Sequence, residues 1–83
     1  MKILPLSPRL NKYLKQRNLT KKFKKQILLF SASHNHPSLH VELLEPHKRG
    51  IYSFRIDRKY RALFFYRTDI SAIEIIAITS HYQ

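Results

Sequence analysis

From Gly50 to Tyr82 the chain reads GIYSFRIDRKYRALFFYRTDISAIEIIAITSHY, and its alternation admits few folds. Over Tyr52–Ile56 apolar residues fall at even positions with Ser53 and Arg55 between them, the period of a half-buried strand. Asp57-Arg58-Lys59 is a polar break of hairpin length, after which Tyr60, Ala62, Phe64 and Tyr66 resume the pattern. A second break around Ile70 precedes the apolar run Ile73–Ile78. Two consecutive β-hairpins are therefore expected.

The first hairpin carries an electrostatic problem. With Asp57–Lys59 as its loop, Ile56 faces Tyr60 and Arg55 lies directly opposite Arg61. Like charges paired across strands are destabilising. Folding alone offers no reason for the pair, and an anion held between the two arginines does.

Charge over the whole chain points the same way. The 83 residues carry 16 Lys and Arg against 5 Asp and Glu, a net charge of +11. Such an excess in one small domain marks a nucleic-acid binder or a protein held by an acidic partner. The plainer reading is charge serving solubility. The length allows a single domain over residues 1–83 with a modest core. Without cysteine, neither disulfides nor thiolate metal sites reinforce it. No stretch approaches membrane-spanning length, and the N-terminus lacks a long apolar core, so a cytoplasmic protein with no membrane partner is expected.

The first half of the chain reads as helical. Lys2–Leu6 allows a short edge strand. Ser7-Pro8 is a helix start, a capping side chain followed by proline at the first helical position. Leu10, Tyr13 and Leu14 then share a face. Asn18-Leu19-Thr20 breaks this pattern, and Thr20 is placed to cap a second helix whose apolar stripe is Phe23, Ile27 and Phe30. Ser31–Ser38 reads as a loop, and the alternation of Leu39, Val41 and Leu43 reads as a further strand. The fold class is α+β, with two helices on one face of a small antiparallel sheet of about four strands.

Lys21, Lys22, Lys24 and Lys25 crowd the start of the second helix, where cations oppose the macrodipole by roughly a few tenths of a kcal/mol each. They form either a solvated face or a ridge contacting phosphates. The five histidines show no metal-binding spacing, and His34 and His36 have no nearby carboxylate to complete a site. No metal and no cofactor is expected. His81 differs from the others, because it ends an apolar strand and is joined to Tyr82. That strand is too apolar on both faces to be an edge, so its end should be anchored beside the others. An odd-length turn around Ile70 brings Thr79 opposite Arg61 and His81 one step beyond, on the arginine face. An even-length turn puts His81 on the other face.

HPSL (His36–Leu39), YSFRI (Tyr52–Ile56), YRALF (Tyr60–Phe64) and the closing apolar strand with its terminal His-Tyr resemble the RelE/ParE superfamily of toxins from toxin–antitoxin systems. Within it they resemble the RelE-like mRNA interferases. The resemblance spans essentially the whole chain, and YSFRI followed closely by YRALF is its most specific part. It implies a metal-independent endoribonuclease that cleaves mRNA on the ribosome, neutralised by an acidic antitoxin. Arg61 matches the arginine that the family carries on its penultimate strand, and Arg55 falls where relatives often place a basic residue. His81 and Tyr82 resemble the terminal His-Tyr of the YoeB branch, and Glu42 matches its carboxylate base by position. Two features depart from RelE itself: Ser53 stands where a lysine is expected, and no basic extension follows Tyr82.

These residue types suit the chemistry. Metal-free RNA cleavage needs a base for the 2′-hydroxyl proton, cations for the phosphorane and an acid for the leaving 5′-oxygen. Arg61 and Arg55 would clamp the phosphorane. His81 suits acid–base transfer, with Glu42 or His40 as the base. Tyr82 or Tyr60 would stack on a base or donate a proton. Lys21, Lys22, Lys24, Lys25, Arg58 and Lys59 would contact the RNA backbone. Two rivals share the sequence features: a ParE-like gyrase inhibitor without nuclease activity, and a nucleic-acid-binding module without chemistry.

Overall fold

The computed structural model describes residues 2–80. The first helix, α1 (Pro8–Gln16), begins as expected. The Ser7 side chain accepts a hydrogen bond from the Leu10 amide at 3.2 Å, and Pro8 is the first helical residue. Its end is set by Asn18, whose backbone is left-handed at φ 58°. Around that residue the Leu19 amide bonds the Leu14 carbonyl at 2.8 Å and the Asn18 amide bonds that of Lys15 at 3.1 Å. This is a Schellman closure, and the accompanying apolar contact joins Leu14 and Leu19, both buried. The second helix, α2 (Thr20–Ala32), follows at once. Thr20 is its first residue and does not cap it. Leu19 occupies the cap position without a capping side chain, and its burial at 2% exposure anchors that end instead.

Among the described residues five strands form one sheet, where the sequence led us to expect about four. They are β1 (Lys2–Ile3), β2 (Glu42–Leu43), β3 (Tyr52–Arg55), β4 (Tyr60–Arg67) and β5 (Ala72–Ser80), in the order β1-β5-β4-β3-β2. The sheet is mixed and not wholly antiparallel, because β1 runs parallel to β5. β5 is thus not an edge strand, as expected, and its far end is anchored by the Tyr60–Ser80 pair, although β1 covers only Ala72 and Ile73 on the other side. The expected strand over Leu39–Leu43 is mostly a turn. Pro37–Leu39 is a 3₁₀ turn capped by the His36 side chain, and His40 is left-handed at φ 46°. That reversal sends Leu39 into the core, fully buried, and leaves Glu42 and Leu43 to pair with Ser53 and Tyr52. Gly50 leads into β3 with φ 66°, a conformation open to glycine without strain.

Both helices pack on one face of the sheet, and Phe30, Phe54, Phe64, Leu14, Leu39 and Ile73 are the largest fully buried apolar side chains among the described residues. The first hairpin closes as expected, with the Ile56 amide bonded to the Tyr60 carbonyl and Arg55 opposite Arg61. The second loop is different. Arg67 pairs with Ala72, so the loop holds an even number of residues, and on its own it would bring Ile78 opposite Arg61. A β-bulge restores the other parity. Leu63 pairs with Ala77 but Phe64 pairs with Ile75, so Ile76 is the extra residue and Thr79 lies opposite Arg61. No helix among the described residues is long and apolar enough to cross a membrane.

Candidate functional site

Alternation places Glu42, Ser53, Arg55, Arg61 and Thr79 on the sheet face turned away from Phe54, Ala62 and Phe64. The strands bring them together from distant parts of the sequence. Arg61 is the centre of the cluster and is only 7% exposed. Its Nε donates to the Ser53 hydroxyl at 3.0 Å, and its Nη2 donates to the His40 carbonyl at 2.6 Å. The same Nη2 lies 3.3 Å from the Glu42 carboxylate, whose side chain is 60% exposed. The guanidinium fork is thus held by a hydroxyl, a carbonyl and a carboxylate, and the carboxylate is the one open to solvent.

This arrangement corrects one inference from the sequence. Folding does supply a reason for Arg61, because the chain around His40 and Ser53 fills part of its fork. It supplies less for Arg55. That side chain is half-buried, and its Nε is buried with no hydrogen-bond partner among the described residues. A buried donor left unpaired costs roughly 1–3 kcal/mol, so the strain of the pair sits on Arg55.

Beside Arg55 lies an open pocket of roughly 300 Å³ whose basic walls are Lys22, Lys25, Arg55 and Arg58. Its floor is Gln26, 7% exposed, whose amide donates to the Arg55 carbonyl at 2.7 Å and the Ser38 carbonyl at 3.3 Å. Asp57 closes one side. One of its oxygens accepts from the amides of Lys59 and Tyr60, both at 2.8 Å, and the other pairs with Lys22 at 3.1 Å. Partial burial pushes this carboxyl up, but the Lys59 and Tyr60 amides and the Lys22 ammonium together hold it below the ordinary carboxylate range.

The remaining sequence candidates scatter. Lys24 lies on the opposite side of α2, in the groove against α1 with Lys12 and Lys15, and Lys21 is exposed. Tyr60 is half-buried with its ring edge-on to Tyr13, over which Arg17 is stacked at 3.6 Å, so one side of it is already engaged. His40 enters the cluster through its carbonyl, while its side chain makes no hydrogen bond among the described residues. His36 caps its own turn and His34 packs against Phe30. His81 and Tyr82 lie outside the described residues. Reasoning from sequence overlooked Gln26, although a signal was there. Gln26 stands between Phe23 and Phe30 on the apolar stripe, and a polar residue at a core position must have partners.

No family model matches the sequence, and no curated protein does. Solved structures do match in shape. A YoeB/ParE toxin from Agrobacterium tumefaciens superposes with a TM-score of 0.72 at 19% identity, covering 99% of this chain and all of the other. A YoeB–YefM complex from Staphylococcus aureus gives 0.67 at 21% identity over 98% of this chain and 94% of its counterpart. The YoeB dimer from the same organism gives 0.63 at 23% identity with the same coverage. The chain shares the fold of the YoeB- and ParE-type toxins.

Proposed function

We propose that the protein is the toxin of a toxin–antitoxin pair and acts as a metal-independent endoribonuclease on mRNA, held by the ribosome as it is translated. The observation that carries this reading is the Glu42 carboxylate standing 3.3 Å from Arg61, with Arg55 across the hairpin and Thr79 opposite. A solvent-exposed base, two cations and the strand leading to His81 and Tyr82 are what 2′-hydroxyl attack requires. Glu42 takes the 2′-hydroxyl proton as the 2′-oxygen bonds to phosphorus. Arg61 and Arg55 neutralise the charge gathering on the phosphorane. The bond from phosphorus to the 5′-oxygen then breaks, and that oxygen takes its proton from His81, leaving a 2′,3′-cyclic phosphate and a 5′-hydroxyl. Tyr82 stacks on the base beside the scissile bond. DNA lacks the attacking hydroxyl and is not cut.

The partner is an acidic antitoxin that covers the basic face. A net charge of +11 steers such an encounter at long range, so association should slow steeply as salt is added. One observation favours a second, non-catalytic reading. Arg61 has internal partners for its fork, as an arginine with a purely structural role would. A translation extract separates the two. With the protein added, mRNA should be cut while plasmid supercoiling is unchanged, and Glu42→Gln should slow cutting by about 10²-fold or more. Intact mRNA with altered supercoiling would establish gyrase inhibition, and no effect on either would leave a binding module.

A further inference from the structure

The pocket between α2 and the first hairpin is a site in its own right. Four cations, Lys22, Lys25, Arg55 and Arg58, line a cavity of roughly 300 Å³ that contains one carboxylate, Asp57. Asp57 pairs with Lys22, which leaves Lys25 and Arg58, both exposed, without a carboxylate partner among the described residues. Arg55, one of the lining residues, has its backbone carbonyl held by Gln26 and its Nε buried without a partner among the described residues. Gln26 fixes the floor by tying α2 to the Arg55 and Ser38 carbonyls, so the walls are pre-positioned.

We infer that this pocket binds a backbone phosphate of RNA, one separate from the phosphate at Glu42 and Arg61, and that Asp57 regulates its affinity by competing for Lys22. Arg55 is common to both places: it faces Arg61 across the hairpin and lines the pocket. A strand whose scissile phosphate lies at Arg61 is therefore led past Arg55 into the pocket. RNA is favoured over an acidic peptide because the cavity is small, suited to one phosphate with its sugar. Arginine forks also match phosphate oxygens two at a time. The Lys22 ammonium pairs with Asp57 at 3.1 Å. An entering phosphate must share or take that ammonium, so Asp57 sets the affinity.

This inference rests on the ribonuclease reading only for its choice of RNA, and its test does not require cleavage. Binding is measured with an uncleavable 2′-O-methyl oligoribonucleotide, and inorganic phosphate is titrated while the Arg55 Nε–H and Gln26 side-chain amide signals are followed by NMR. Asp57→Asn keeps an oxygen for the Lys59 and Tyr60 amides and removes the competing charge, so oligonucleotide affinity should rise about 3- to 10-fold. Asp69→Asn, which changes net charge equally but lies in the other hairpin loop, should change affinity less. Lys25→Ala and Arg58→Ala should each lower affinity and reduce the salt slope by about one, and Lys24→Ala, on the far side of α2, by less. Both NMR signals should shift with phosphate. Three results would overturn the assignment: equal effects of Asp57→Asn and Asp69→Asn, unmoved Arg55 and Gln26 signals, or displacement of those signals by a poly-glutamate peptide but not by the oligonucleotide. If mRNA stays intact in extract while these shifts persist, the ribonuclease reading fails and the phosphate pocket stands.

Discussion

The two ends of β4 each carry an arginine, and the sheet treats them in opposite ways. At the C-terminal end Arg67 donates to Glu74 at 2.8 Å and to both oxygens of Asp69 at 3.1 and 3.0 Å. Those bonds raise the guanidinium's pKa above its ordinary value and hold Asp69 below its own. At the N-terminal end Arg61 faces another arginine, donates to a hydroxyl and a carbonyl, and has one solvent-exposed carboxylate within reach. An arginine that serves only the hairpin is matched with carboxylates beside it in the chain. In the proposed reading, the one opposite a like charge, with the unpaired Arg55 Nε across the hairpin, receives a charge that arrives from outside.

The largest expected effect tests whether chemistry belongs to the Arg61 end. Deleting residues 81–83 should slow mRNA cleavage by about 10²- to 10⁴-fold, the usual contribution of an acid–base group. Affinity for an uncleavable RNA should change little. Wild-type cleavage by the shortened protein would remove His81 and Tyr82 from the mechanism and leave Glu42 as the only proton carrier proposed here.

Arg61→Ala comes next, and it sharpens the contrast through stability. The loss strips a bond from the His40 carbonyl and empties a nearly buried site, so unfolding free energy should drop by about 1–3 kcal/mol. Arg61→Lys restores the charge but not the fork, and should recover more stability than cleavage. Urea titrations of the two variants, read beside their cleavage rates, check this. Equal recovery of both properties by lysine would mean that the guanidinium fork matters to neither.

The sequence disclosed the meander and the Arg55–Arg61 pairing because a three-residue loop and strict alternation from Tyr52 to Tyr66 leave one register. It disclosed less beyond that. The bulge at Ile76 falls where Leu63, Phe64, Ile75 and Ile76 are all apolar, so no change of pattern announces it. The short edge strand within Lys2–Leu6 is expected, but its parallel pairing with a strand some seventy residues away is something periodicity cannot detect. Leu39, Val41 and Leu43 alternate like a strand, yet the left-handed backbone at His40 gives Leu39 to the core and the His40 carbonyl to Arg61. The cations of the proposed sites were candidates in the sequence one by one. Their division between a cleft at Arg61 and a pocket at Lys25 depends on that turn and on Gln26, features of packing rather than pattern.

Acid titration compares the carboxylates of the two hairpin loops. Asp57 and Asp69 are both held below the ordinary 3.8, so each folded state favours the ionised form. The stability this confers is complete above the unfolded pKa and is lost as the pH falls from there through the lower folded value. Asp57 is 20% exposed and Asp69 62%. Asp57→Asn should therefore flatten the acid limb of the stability profile even in about 0.5 M salt, whereas the effect of Asp69→Asn should disappear there. The same salt sensitivity for both would show that burial does not distinguish the two loops.

The smallest effect belongs to Arg67 itself. Its partners are an exposed carboxylate, Asp69, and a half-buried one, Glu74, both open to water, and such ion pairs contribute little because water screens them and ordering long side chains costs entropy. Arg67→Gln keeps a donor for Glu74 and should leave the urea midpoint almost where it was. Cleavage rate and RNA affinity should stay within about twofold of wild type, since neither the Arg61 cluster nor the phosphate pocket includes this residue. Arg67→Gln is therefore the control that decides whether the contrast between the two ends is real. If it weakened RNA binding as much as Arg58→Ala, the basic surface would act as one diffuse field. The two ends of β4 would then differ only in their hydrogen bonds, with no difference in purpose.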